Sequence, residues 1–132
     1  MKDKPHILLI GIDPLLLDFS APDFAAMPGI TAEKIEVGTQ IALDELNSLG
    51  YIAEKCWVDL GATAAETVIA RLGKMTYDGI IIGAGIRVAE SNFLLFEKIV
   101  NTVHQYAPKS KIVFNTSPKD NVAAVQRWVS LD

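Results

Sequence analysis

The sequence holds one cysteine, Cys56, and two histidines, His6 and His104, among 132 residues. A lone thiol closes no intrachain disulfide, and the chain suits a reducing, cytoplasmic compartment. So few soft ligands, spread this far apart, give no zinc-site spacing. His6 opens an apolar run and His104 falls in a helical stretch. Neither is placed to activate Ser91 or Ser117, so no Ser-His-Asp triad is indicated. Positive charge is also scarce: 12 Lys and Arg stand against 16 Asp and Glu, a net charge of −4. Without clustered cations the surface disfavours nucleic acid and anionic membranes. No stretch approaches the roughly 20 consecutive apolar residues that cross a bilayer. Lys2 and Lys4 precede the apolar run Ile7-Leu-Leu-Ile10. Asp13, Pro14 and Asp18 interrupt the apolar residues beyond it, so this reads as a first strand and not an export signal.

Half of the residues are hydrophobic. That composition excludes disorder and suffices for one stapleless core spanning residues 1–132. Residues 6–10 form a continuously apolar run stopped by Gly11 and Asp13-Pro14, as in a strand covered on both faces. From Thr31, Ile35, Gly38, Ala42, Leu46 and Leu49 trace a helical stripe that Gly50 ends. Residues 51–58 suit a strand, and Glu54 and Lys55 within it suit a sheet edge. Thr63-Ala-Ala-Glu66 has the capping-box pattern of a helix start, with Val68, Ile69 and Leu72 after it. Residues 77–83 are the strongest strand signal. Residues 91–106 form a helix ended by Pro108, and residues 111–115 a fourth strand. Ser117-Pro-Lys-Asp120 places a cap and a first-turn proline before a last helix reaching about residue 129. Strict alternation predicts a three-layer, doubly wound α/β sandwich with a four-stranded parallel sheet and right-handed crossovers. The first and third strands are the most apolar, which places them centrally and gives the order 2-1-3-4. Cys56 reads as an inert buried thiol, and Trp57 and Trp128 as packing groups.

Two segments depart from this regularity. Residues 13–30 are long for a strand-to-helix connection, where about two to six residues are usual. They are also apolar, with Leu15, Leu16, Leu17, Phe19, Phe24 and Met27, while Pro14, Pro22 and Pro28 forbid one helix. A lid, a subunit contact or plain packing would each account for them. The second departure is Ile112-Val-Phe114, fully apolar although placed at an edge. The helix over residues 91–106 is apolar on more than one face. Exposed apolar edges are normally covered, so a homodimer or higher homo-oligomer is expected.

In open parallel sheets, ligands bind beyond the carboxyl ends of the strands where the order reverses, here between the first and third. Asp13, Gly83, Gly85, Arg87, Asn115 and Thr116 fall at that edge. The glycines permit close backbone approach, Arg87 can clamp a carboxylate or phosphate, and Asn115, Thr116 and Ser117 add donors. Each also has a plainer role: the glycines turn the chain, Thr116 and Ser117 cap a helix, Asp13 satisfies loop backbone, and Arg87 pairs with Glu90.

The alternation resembles the flavodoxin-like superfold over nearly the whole chain. Receiver domains place a phosphate-accepting Asp where Gly83-Ala-Gly85 stands. Flavodoxins hold phosphate on a Ser/Thr/Gly-rich loop where Asp13-Pro-Leu-Leu-Leu17 stands. Cobalamin-binding domains are similar across residues 49–83 but carry an Asp-x-His-x-x-Gly motif after the first strand that is missing here. Type II 3-dehydroquinases resemble Asp78-Gly-Ile-Ile-Ile82, yet need a lid arginine, absent from the first long loop, and a histidine after the fourth strand, where Asn115-Thr-Ser-Pro stands. The resemblance implies the architecture of a small bacterial protein on this superfold, without those functions. The expectation is a small-molecule or anion-binding protein, regulatory in one version, with no cofactor singled out. One alternative is a small hydrolase or lyase using Asp13 or Glu90 as acid–base and Arg87 as clamp. Another is a homo-oligomeric interaction module without catalysis.

Overall fold

A computed structural model describes residues 3–117 and 119–131. The elements run β1 (His6–Ile12), α1 (Ala32–Leu49), β2 (Ile52–Val58), α2 (Ala64–Leu72), β3 (Gly79–Ile82), α3 (Ala84–Arg87), α4 (Phe93–Tyr106), β4 (Lys111–Phe114) and α5 (Asn121–Trp128). The sheet is all parallel in the order β2-β1-β3-β4. Ile7–Ile10 lie beside Gly79–Ile82, residue for residue and in the same direction.

The period-two pleat sends alternate β1 side chains to opposite faces, and both faces are apolar. Leu8, Ile10 and Ile12 join Ile80 and Ile82 in a core closed by Val68 of α2 and by Leu95, Ile99 and Val103 of α4. Ile7, Leu9, Ile81 and Val113 join the opposite core with Leu43 and Leu46 of α1 and Ala124 and Val125 of α5. A fully buried Leu or Ile contributes roughly 1.5–3 kcal/mol, so the central pair of strands anchors both layers. Close approach fixes Gly79: an added Cβ would fall 2.8 Å from Val129 Cγ2 and 3.1 Å from Ile7 Cδ1.

Several expected boundaries shift. Thr31 caps α1 by accepting the Lys34 amide at 3.2 Å, and Gly50 ends the helix at φ 114°. The buried stripe, however, is Thr39, Ala42, Leu43 and Leu46, with Leu49 exposed, because only the middle turns meet the sheet. Thr63 precedes α2 but forms no capping box with Glu66. Asp59 instead accepts the Gly61 and Thr63 amides and the Thr63 hydroxyl, which removes that hydroxyl from the cap. The helix expected from residue 91 starts at Phe93, after a single 3-10 turn over Glu90–Asn92. The last helix starts at Asn121 and not at residue 118. Asp120 draws the Thr116 and Ser117 amides into a closed turn first, while Ser117 Oγ accepts from the Lys119 amide. Pro118 lies outside the described residues. Trp57 packs against Gly11 as a packing group should, but Trp128 is 55% exposed, because α5 faces the sheet with Ala124 and Val125. Nothing in the sequence pattern announced α3.

The long connection contains two proline-initiated 3-10 turns, Pro14–Leu16 and Pro22–Phe24. Leu17 packs on the core, and the Phe19 and Phe24 rings meet at a tilt, their centroids 4.9 Å apart. Asp23 Oδ2 accepts from Ser91 Oγ at 2.7 Å, tying this loop to the segment before α4. Leu15, Leu16 and Met27 remain exposed. Both sheet edges carry side-chain blocks. On β2 the Asn47 carboxamide bonds both the Ala53 amide, at 2.9 Å, and the Ala53 carbonyl, at 3.3 Å, and Arg71 Nη1 bonds the Lys55 carbonyl. On β4 Arg127 donates to the Phe114 carbonyl at 2.9 Å. As the sequence indicated, α4 is apolar on more than one face: Leu95 and Ile99 are buried while Phe93 and Leu94 are exposed. No described helix is long and apolar enough to cross a membrane.

Candidate functional site

At the carboxyl end of β1 the chain must turn at once, and Asp13 does the turning. Its amide donates to Val58 O of β2 at 2.9 Å, and its Oδ1 accepts the Leu15 amide at 3.0 Å, capping the Pro14–Leu16 turn. Asp13 thus serves loop backbone on the β2 side, and among the described residues it makes no hydrogen bond to Arg87 or Asn115. Gly83 ends β3 with its amide on Ile10 O at 2.9 Å. An added Cβ would sit 3.1 Å from that same oxygen, so the glycine allows the close approach of the two strand ends. Gly85 has open space around it, and its carbonyl accepts from Asn92 Nδ2.

Arg87 and Asn115 are brought together although 28 positions apart. Arg87 Nη2 donates to the Asn115 carbonyl at 2.6 Å, and the guanidinium lies over the Phe114 ring, 5.7 Å from its centroid. That placement replaces the expected pairing with Glu90, which is exposed at the start of its 3-10 turn. The Asn115 side chain is 4% exposed, and its Nδ2 donates to Asn121 Oδ1 at 2.7 Å. Two buried atoms here have no hydrogen-bond partner among the described residues: Arg87 Nε and Asn115 Oδ1. Leaving such a group unsatisfied costs roughly 1–3 kcal/mol, so each of the two calls for an explanation.

Thr116 is already engaged. Its amide and hydroxyl both reach the Asp120 carboxylate, the hydroxyl at 2.7 Å. Burial alone would raise the Asp120 pKa. The Thr116 hydroxyl and the Thr116 and Ser117 amides outweigh burial and hold it below the ordinary carboxylate value. The assembled group is therefore Arg87, Asn115, Phe114 and Asn121, with Asp13, Glu90 and Thr116 outside it. Phe114, Asn121 and Asp120 were not foreseen. The Thr116-to-Asp120 spacing was the one local signal available, and it competed with Ser117-Pro as a cap.

A second polar cluster lies along β2. Tyr77 Oη donates to Glu54 Oε1, and Arg71 Nη1 lies 3.8 Å from that oxygen. Burial first, and Glu54 second, push the Tyr77 phenol up to about 12. Burial also raises the neighbouring Cys56 thiol, which Arg71 partly offsets, in keeping with an inert buried cysteine. Two open surface depressions lie away from the strand reversal. One runs along α4 past Leu94, Lys98 and Thr102, and the other sits by His6, Thr76 and Asp78. Among the described residues no three His, Cys, Asp or Glu side chains converge as metal ligands. No protein-family model matches the chain, and no curated protein matches it.

Proposed function

We propose that this flavodoxin-like protein binds a small molecule at the carboxyl edge of its sheet, with Arg87 and Asn115 as the contacts. The observation that carries this reading is that Arg87 Nε and Asn115 Oδ1, near the carboxyl ends of β3 and β4, are each buried without a hydrogen-bond partner among the described residues. Gly83, Gly85 and the backbone after β1 shape the neighbouring edge; Asp13 and Thr116 support it from their own turns. A thermal-shift screen of phosphorylated, carboxylated and carboxamide metabolites tests the reading. A hit should raise Tm for the wild-type chain and lose most of that shift in Arg87→Ala, while Asp13→Ala keeps it. A hit whose shift survives Arg87→Ala places the ligand elsewhere. Among the described residues no hydrogen bond or salt bridge joins Asp13 or Glu90 to Arg87, so binding is the reading favoured over the acid–base alternative.

A second copy of the chain is the partner proposed. Val88, which caps α3, and Phe93 and Leu94, in the first turn of α4, are 66%, 60% and 73% exposed, and exposed apolar surface favours association. Light scattering should give a mass above one chain, and Leu94→Glu should reduce it to that of a monomer; a monomeric wild type removes the proposal. The buried, reduced Cys56 supports a cytoplasmic setting.

A further inference from the structure

We infer that the free edge of β4 accepts an added strand, and that the strand it fits is an extended segment of another protein in which apolar and acidic residues alternate. Parallel pairing lets only alternate residues of β4 face β3. The Lys111 amide donates to the Asp78 carbonyl at 3.0 Å, so Lys111 and Val113 pair inward, and Ile112 and Phe114 turn their backbone groups outward. Arg127 covers one of those groups, the Phe114 carbonyl. Among the described residues no side chain or loop bonds the Ile112 N–H, the Ile112 carbonyl or the Phe114 N–H. The opposite edge is treated differently, since on β2 both backbone groups of Ala53 and the Lys55 carbonyl are taken. An edge left open in this way is a template for an extended chain, whose backbone supplies affinity and whose alternate side chains supply specificity.

The two faces of this edge differ in chemistry. Ile112, Phe96 and Val100 pack against the core under α4, and the Phe96 and Phe114 ring centroids lie 6.0 Å apart, so that face is apolar. Val113 belongs to the opposite core, and by the period of two Lys111 shares its face, from which Arg127 of α5 also reaches the edge. Lys109, just before the strand, and Lys111 are both exposed. Among the described residues neither lysine nor Arg127 forms a salt bridge. The acids flanking the strand are occupied: Asp78 Oδ2 accepts the His6 amide, and Asp120 accepts the Thr116 amide and hydroxyl. This edge is therefore locally cationic in a chain of net charge −4. Side chains of an added strand alternate between the two faces. Apolar residues suit the Ile112 and Phe114 face, and carboxylates suit the Lys111 and Arg127 face. A second copy of β4 is the poorer occupant, because it would set its own lysines against the same cations.

The test is an NMR titration of the 15N-labelled full chain with the peptide acetyl-Glu-Val-Glu-Val-Glu-amide and its counterpart acetyl-Lys-Val-Lys-Val-Lys-amide. The acidic peptide should shift the Ile112 and Phe114 backbone amides and slow hydrogen exchange at Ile112. The lysine peptide should bind there roughly tenfold or more weakly. Lys109→Glu with Lys111→Glu changes only exposed side chains, and should reverse the preference between the two peptides. Equal binding of the two peptides overturns the acidic segment. Absence of shifts at Ile112 and Phe114 with either peptide overturns the added strand. An Ile112 amide already protected in the free chain, and losing that protection on dilution, gives the edge to a second copy and overturns the proposal as well.

Discussion

Two polar clusters flank the hydrophobic layers of this protein, and they are finished to different degrees. Along β2, Tyr77, Glu54 and Arg71 satisfy one another and the Lys55 carbonyl. Beyond β3 and β4, Arg87 and Asn115 touch yet leave one donor and one acceptor over. Both clusters seat an arginine on a backbone carbonyl, that of Lys55 in one and Asn115 in the other, so the arginine contact does not separate them. Completeness does. A closed network rigidifies and stabilises, whereas an unfinished one holds capacity for something else. The first should therefore answer to stability measurements and the second to ligand.

The largest test of that contrast is Tyr77→Ala. Tyr77 is 2% exposed and part of the core under α2 and α4, and its removal should cost about 3–5 kcal/mol in urea unfolding, as for other large-to-small core changes. A loss below about 1 kcal/mol would place the tyrosine outside the structural network. Next comes alkaline pH. The Tyr77 phenol is raised from 10.0 to about 12, so the neutral form is the one the fold favours. Its contribution is complete below pH 10 and is lost as pH rises toward 12, on the order of 2 kcal/mol. Tyr77→Phe should flatten that decline, read by urea midpoints across the range. The smallest effect is expected at the other cluster. Arg87→Met should leave stability within about 1 kcal/mol of wild type, since it also removes an unsatisfied donor. A larger loss would make Arg87 a structural residue like Arg71.

The layered architecture was legible because burial on two faces leaves a compositional trace. Ile7–Ile10 and Ile80–Ile82 are uninterrupted β-branched and leucine runs, and ranking strands by apolarity was enough to order them. Glu54 and Lys55 marked β2 as an edge for the same reason. Helix starts were less legible, because a cap is a competition among nearby oxygens. Asp59 outbid the Thr63–Glu66 pair for the Thr63 hydroxyl, and Asp120 outbid Ser117. The four residues of α3 are too short to show a helical period. The Arg87–Asn115 contact joins the end of α3 to the residue after β4 through a carbonyl and a ring face, and neither partner advertises the other in sequence. Asp13 shows the plainer of its two sequence-based roles, its Oδ1 accepting the Leu15 amide just beyond it.

The Asn47 carboxamide on β2 occupies the place a neighbouring strand would take. By offering one oxygen and one N–H to the two backbone groups of Ala53 it mimics a peptide unit, and Arg71 occupies the next carbonyl along. A seven-residue strand is thereby denied its first rungs as a template for another chain. The sheet stops growing on that side because two side chains of its own helices impersonate the strand that would have come next.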